Sequence, residues 1–209
     1  MIYPKNNPVI FWFFNRYVQW IVGNQFHELV YDDIQVDKNK SVLLIANHFS
    51  FWDALILFCI NQRMLKKKFH VMILEDTAKK EGFLKYAGAF SVDKSSRGML
   101  QSLDYAAQLL SDPQNLVLMF PQGKLYPNFV DEVHFEKGVQ RIIDKAAGNF
   151  QLVFAAAFTQ YYQHKKQTAT VYLKPINQSF AGKNIAGLQS AYRQYYTASK
   201  LLQTQTVIV

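Results

Sequence analysis

SVLLIANHFSFWDALILFCINQRML, residues Ser41–Leu65, changes character twice within one stretch. Ser41–Ala46 is a short apolar run of the kind that forms a strand buried on both faces. Trp52–Leu65 carries a helical pattern, and between the two lies a polar loop containing Asn47, His48 and Ser50. Outward from this stretch the same alternation repeats. Strands are expected at Phe69–Leu74, Ala89–Val92, Leu116–Phe120, Leu152–Phe158 and Thr168–Leu173. Helices are expected at Thr77–Ala87, Ser96–Leu110, Gly138–Ala147 and Ile185–Gln203. Strands alternating with helices predict an α/β fold, with a mostly parallel central sheet flanked by helices. The chain shows no internal repeat and no Ser/Gly/Pro-rich linker, so residues 1–209 read as one domain. Sheets of this kind place their chemistry at the carboxyl ends of the strands. Two segments qualify by position: Asn47–Asp53 after the first strand, and Pro121–Lys124 after Leu116–Phe120.

Composition narrows the class. Half of the 209 residues are hydrophobic and 15% are aromatic, which excludes a disordered chain. The single Cys59 excludes a disulfide framework and a multi-cysteine zinc site, and its apolar surroundings make it a core thiol. A net charge of +8 favours anionic partners, among them nucleic acid, an acidic membrane surface or phosphorylated substrates. No uninterrupted apolar run exceeds seven residues (Ala54–Ile60 and Leu152–Phe158), so no simple membrane span is expected.

Val9–Val30 reads VIFWFFNRYVQWIVGNQFHELV and lacks the features of a signal peptide. Read as a helix, it has one narrow non-apolar stripe, Asn15, Gln19, Gly23 and His27, with Phe and Trp around the rest. A helix apolar on most of its surface either packs across a core or lies in a lipid interface. Residues 1–31 are therefore expected to form a membrane-associating helical segment.

His48 and Asp53 are five residues apart, which on one continuous helix would leave their side chains about 140° apart. They can meet if His48 stays in the loop, Ser50 caps the helix and Asp53 occupies its first turn. The same spacing also describes an ordinary capping box, Ser50-x-x-Asp53. In a chain of this composition a His-x4-Asp arises by chance roughly one time in four, so the pair is weak evidence alone. Chemically it would be a general-base dyad: the carboxylate fixes the imidazole tautomer, and the other ring nitrogen takes a proton from a hydroxyl.

Four elements in order give the pair its context. Asn47-His48-x4-Asp53 follows one strand, and Phe120-Pro121-Gln122-Gly123 follows another. Gly88–Lys94 lies between them, and the apolar strand Leu152–Phe158 comes after. This arrangement resembles the glycerolipid acyltransferase family, of the lysophosphatidate acyltransferase type, over about residues 41–158. The resemblance implies acyl transfer from acyl-CoA or acyl carrier protein to a lipid hydroxyl, with no cofactor beyond the acyl donor. It makes His48 the base and Asp53 its orienting partner. It places Asn47, Ser50, Lys94, Phe120, Pro121, Gln122, Gly123 and Lys124 around the substrates. It also implies a peripheral or monotopic enzyme on the cytoplasmic face of a membrane. The sequence departs from the family pattern in three places: Gln122 stands for the usual Glu, Lys94 for the usual Arg, and Lys124-Leu125 for Thr-Arg. Gln keeps a carbonyl acceptor but loses the charge, and Lys keeps a charge without the bidentate fork. The altered third block makes a catalytically inactive, lipid- or partner-binding member the alternative reading.

Other features have plainer explanations. Lys66-Lys67-Lys68 reads as a solvated turn or as a landing site for anionic lipid or an acidic carrier. Asp131, Glu132, His134 and Glu136 have metal-ligand residue types without a metal-site spacing, and no metal is expected. Tyr161–Lys166 reads as a polar hairpin tip between two strands rather than a nucleic-acid patch, and no nucleic-acid partner is expected.

Overall fold

The computed structural model describes residues 1–92, 95–128, 130–146, 150–177, 179–180, 182 and 184–206. Seven strands are present among them: β1 (Glu28–Tyr31), β2 (Ser41–Ala46), β3 (Lys68–Leu74), β4 (Ala89–Val92), β5 (Asn115–Met119), β6 (Phe150–Gln160) and β7 (Thr168–Ile176). They form one sheet in the order β1-β7-β6-β2-β5-β3-β4. Every neighbouring pair is parallel except β6 and β7, which form an antiparallel hairpin around the tip at Tyr161–Gln167. The six expected strands are all present, within two or three residues at their ends.

Period-two alternation along the strands sorts the core into two layers. Val42, Leu44 and Ala46 of β2 pack with the helices α1 (Pro8–Gln25) and α2 (Asp53–Ile60). Leu43 and Ile45 point the other way. They join α4 (Ser96–Leu109), α5 (Gly138–Lys145) and α6 (Ile185–Gln205). The result is an α/β/α sandwich in which β2 is central and buried along its whole length. Cys59 lies inside the first layer, where burial raises its thiol pKa to about 11.

Three expectations need correction. The N-terminal helix stops at Gln25, and Glu28–Tyr31 is not helix but the edge strand β1, paired with β7. Its four residues are too few to show a strand period; the open side of β7 determines their conformation. The helix expected over Thr77–Ala87 is broken. α3 covers only Glu75–Lys80, and a single 3₁₀ turn, Leu84–Ala87, follows Gly82. Gly88 then sits at φ +90, so close to the Phe69 carbonyl that a Cβ would lie 1.8 Å from its oxygen. The chain can pass there only as glycine.

The third correction concerns the lysine run. After α2 the chain widens into a π-helical turn, Asn61–Leu65, closed by Lys66 at φ +54. Lys67 then points inward and is only 8% exposed. Its ammonium donates to the carbonyls of Lys40 (2.9 Å), Pro113 (2.8 Å) and Lys38 (3.1 Å), with that of Asp37 at 3.5 Å. Burial pulls its pKa below the ordinary lysine value, with Asp37 and Asp112 acting in the opposite sense. Lys67 is thus a structural clamp at the amino-terminal end of the sheet and offers nothing to a lipid surface.

In α1, Asn7 caps the first turn by accepting from the Ile10 N–H (3.1 Å), and Pro8 opens the helix. Phe14, Val18 and Val22 form the buried stripe. Of the non-apolar stripe, Gly23 and His27 are exposed, while Asn15 and Gln19 are half-buried and Gln19 accepts from the Arg63 guanidinium (2.8 Å). The exposed face also carries Trp12, Phe13, Tyr17 and Trp20, each more than half exposed.

Candidate active site

β2 delivers Asn47 and His48 at its carboxyl end, and the strands on either side reach beyond the last ladder pairs to hold them. On the β5 side the register ends at Ile45 opposite Met119; counted onward, it sets His48 opposite Gln122. Beyond that point the Pro121 carbonyl accepts from the Glu136 N–H (2.8 Å) and is not given to β2. The Gln122 side chain supplies an acceptor in its place: Oε1 accepts from the His48 backbone N–H at 2.6 Å. A backbone N–H needs an oxygen partner, so the amide orientation is settled by this bond. The Tyr126 N–H donates to the His48 carbonyl (3.0 Å), so both main-chain polar groups of His48 are held by the segment after β5. On the β6 side the buried Asn47 amide spans the backbone of Ala157, accepting from its N–H (2.8 Å) and donating to its C=O (2.9 Å).

His48 Nδ1 lies 2.8 Å from Asp53 Oδ2, with the imidazole 24% exposed and the carboxylate fully buried. The same Oδ2 accepts from the Phe49 N–H (2.7 Å) and the Ser50 N–H (2.9 Å), while Ser50 Oγ donates to Oδ1 (2.7 Å). With donors on every side the carboxylate acts as an acceptor, which puts an imidazole hydrogen on Nδ1, so that in the neutral ring Nε2 carries the lone pair. Ser50 Oγ accepts in turn from the Trp52 N–H (3.1 Å). The capping box and the dyad, alternatives from sequence alone, are the same carboxylate. Phe120 stacks on the imidazole, centroids 4.1 Å apart and planes 15° apart, fixing the ring from a second direction.

Of the other expected residues, Pro121 is buried and its carbonyl accepts from the Glu136 N–H (2.8 Å). Gly123 takes φ +66, closing a turn in which its N–H donates to the Phe120 carbonyl (3.3 Å). Lys124 is exposed, its ammonium 5.3 Å from the centre of the Tyr126 ring. Lys94 lies outside the described residues. Asn47 is fully engaged with Ala157, which makes it a support for His48 rather than a wall of open space. The sequence reading missed Tyr126 and Ala157, which act through their backbones; only the strand register could have signalled them. It also missed Tyr192, whose buried phenol donates to the Ala155 carbonyl (2.7 Å), and whose pKa burial drives far above the ordinary value.

The acidic cluster resolves into surface ion pairs. Asp131 meets Lys200 and Glu132 meets Arg193, each at 2.8 Å. Among the described residues no group of three His, Cys, Asp or Glu side chains could hold a metal ion.

The His48–Asp53 pair thus stands at the end of a central parallel strand, held by the turn Phe120–Gly123. The acyltransferase family model matches residues 28–172. The chain belongs to the acyltransferase family. Its fold is similar to the crystal structure of the 1-acyl-sn-glycerophosphate (LPA) acyltransferase PlsC from Thermotoga maritima. The TM-score is 0.68 at 12% identity, over 95% of this chain and 81% of that one. No curated protein sequence matches the chain.

Proposed function

We propose that this acyltransferase-family protein moves a fatty acyl group from acyl-CoA or acyl carrier protein to the hydroxyl of a membrane lipid, with His48 as general base. The observation that carries the reading is His48 Nε2, which has no partner among the described residues while every other polar group of the residue is held. Nε2 takes the proton of the acceptor hydroxyl as that oxygen attacks the thioester carbonyl. The tetrahedral adduct collapses by breaking the C–S bond, and the thiolate leaves with the proton now on Nε2. Asp53 keeps Nδ1–H in place throughout and balances the imidazolium. No side-chain nucleophile is needed: Ser50 is bound to Asp53 and Cys59 is buried in the core.

The reading extends to the acceptor and the membrane. The Gln122 Nε2, which has no protein partner among the described residues, together with Lys124 and Lys94, is assigned to the acceptor's oxygen atoms. A neutral amide at position 122 favours an acceptor other than lysophosphatidate. The exposed aromatic face of α1 is assigned to the lipid interface on the cytoplasmic side, where Trp and Phe sit well. The buried Phe26 ring just past α1 packs edge-on against Trp52 (5.7 Å), tying the end of the helix to the turn that holds His48 and Asp53, where Phe51 is 71% exposed. No helix among the described residues is long and apolar enough to cross a membrane.

The test is transfer of a labelled acyl group from acyl-CoA and acyl carrier protein to a panel of lysophosphatidate, uncharged lysolipids, glycolipids and hydroxylated isoprenoids. Acylated lipid formed by the protein and lost in His48→Ala supports the reading. No product with any donor and acceptor, while the protein still binds vesicles, would favour the inactive lipid-binding alternative.

A further inference from the structure

We infer that Gln122 and Asn47 are positioning residues: two amide side chains that carry the sheet ladder one step past its end and so set where His48 stands. This rests on the proposed acyl transfer for its kinetic consequence, but not for its geometry. β2 must leave the sheet to present its histidine, and a strand that leaves loses neighbours for its N–H and C=O groups. Such groups, buried and unpaired, are destabilising and leave the backbone free to shift. Here the lost partners are supplied from both sides. The Asn47 amide reproduces a two-bond strand pairing with Ala157 of β6. Gln122, 3% exposed, supplies the acceptor that Pro121 leaves out of reach on the β5 side.

The geometry defines what position 122 requires. His48 N–H needs an oxygen at the end of a side chain of this length, and it needs no charge. Gln and Glu both meet the requirement; Met or Leu does not. The replacement of the usual acid by Gln122 therefore leaves this task intact, whatever it does to the acceptor. A displaced His48 backbone would carry the ring off the Asp53 carboxylate and the Phe120 face together, and an error of about 1 Å in a reacting group costs on the order of a hundredfold in rate.

The test compares wild type, Gln122→Met and Gln122→Glu in the full-length protein, with two readouts. Kinetically, Gln122→Met is expected to lower kcat by about 10- to 100-fold while the KM for the acyl donor moves less than about threefold. Gln122→Glu keeps the acceptor oxygen for the His48 N–H and is expected to lose less kcat than Gln122→Met, whatever its charge does to the acceptor KM. A residue that only bound acceptor would instead raise the acceptor KM at constant kcat, and that result overturns the proposal. The second readout is the imidazole resonances of ¹⁵N-labelled histidine, assigned through His48→Ala. Gln122→Met is expected to shift or broaden the His48 signals and Gln122→Glu to leave them sharp. Unchanged His48 signals in Gln122→Met overturn the positioning role even if the protein transfers no acyl group. Shifted signals without any wild-type transfer would uphold the geometry and count against the proposed reaction alone. Should Gln122→Met fold poorly, Asn47→Asp serves in its place. It keeps the acceptor for Ala157 N–H, loses the donor to Ala157 C=O, and is expected to lower kcat and disturb His48 in the same way. Wild-type kcat and signals in Asn47→Asp overturn the role of Asn47.

Discussion

The two ends of β2 are both polar and both buried, yet they do opposite things. At the amino end, the Lys67 ammonium sits among the carbonyls of Asp37, Lys38, Lys40 and Pro113, and its three hydrogens are all engaged. At the carboxyl end, His48 is held through its N–H, its C=O, its Nδ1 and its ring face, but Nε2 has no partner among the described residues. The first cluster is saturated and can only stabilise. The second is saturated among the described residues except at one ring nitrogen, and that atom is the one the proposed reaction uses. Burial and hydrogen-bond counts alone would not separate the two; the unengaged atom does.

The contrast is broken most directly at the carboxyl end. His48→Ala is expected to lower acyl transfer on the order of 10³- to 10⁴-fold with little change in the urea midpoint, since a part-exposed ring is lost and no buried donor is orphaned. Asp53→Asn is expected to cost on the order of 10²- to 10⁴-fold in kcat, because an amide offers Nδ1–H the wrong tautomeric partner. It should also destabilise by about 1–3 kcal/mol, since an amide nitrogen replaces an acceptor among four donors. Equal rates in both variants would leave the carboxylate as a helix cap and nothing more.

The amino end should respond in the reverse sense. Lys67→Met removes the shared donor from four part-buried carbonyls and is expected to cost about 1–3 kcal/mol in urea unfolding, with kcat per folded molecule unchanged. A fall in kcat at full stability would show that the clamp reaches the site. Membrane binding sharpens the same division. Trp12→Gln with Trp20→Gln is expected to weaken binding to anionic vesicles at least tenfold, whereas Lys66→Gln with Lys68→Gln costs about 1 kcal/mol per charge or less. Indifference to both pairs would free α1 from any lipid role.

The smallest effect lies on the outer layer. Asp104 accepts from Arg141 (2.7 Å) and Lys145 (2.7 Å), tying α4 to α5, and these partners hold its pKa at about 2 against an ordinary 3.8. Because the folded value is depressed, the stabilisation is present above the ordinary value and is lost as pH falls toward 2. All three side chains are a third or more exposed, so it is worth less than about 1 kcal/mol. The stability difference between wild type and Asp104→Asn should be constant from pH 5 to 7 and vanish near pH 2.

Strands, most helices and the dyad were legible in the chain because each is a local event. Apolar runs bounded by polar turns report burial, and Ser50-x-x-Asp53 reports a helix start wherever it sits. The short strand Glu28–Tyr31 was not legible, because a four-residue edge strand is defined by the neighbour it pairs with. Nor was the fate of Lys67: a run of three lysines reads as solvated, and only carbonyls contributed from residues 37–40 and 113 make the middle one internal. The outward face of α1 was hidden for a related reason, since a helix apolar nearly all round does not say which side its neighbours cover.

The amino-acid sequence by itself determined the alternation of strand and helix, the α/β class, and that His48 and Asp53 could meet across a helix start, since these depend on periodicity and spacing within a few residues. Tertiary structure alone decided the strand order and the pairing of Gln122 with His48 and of Asn47 with Ala157. It also decided that one imidazole nitrogen is left open, since hydrogen bonds between residues 74 and 110 positions apart exist only once the strands lie side by side.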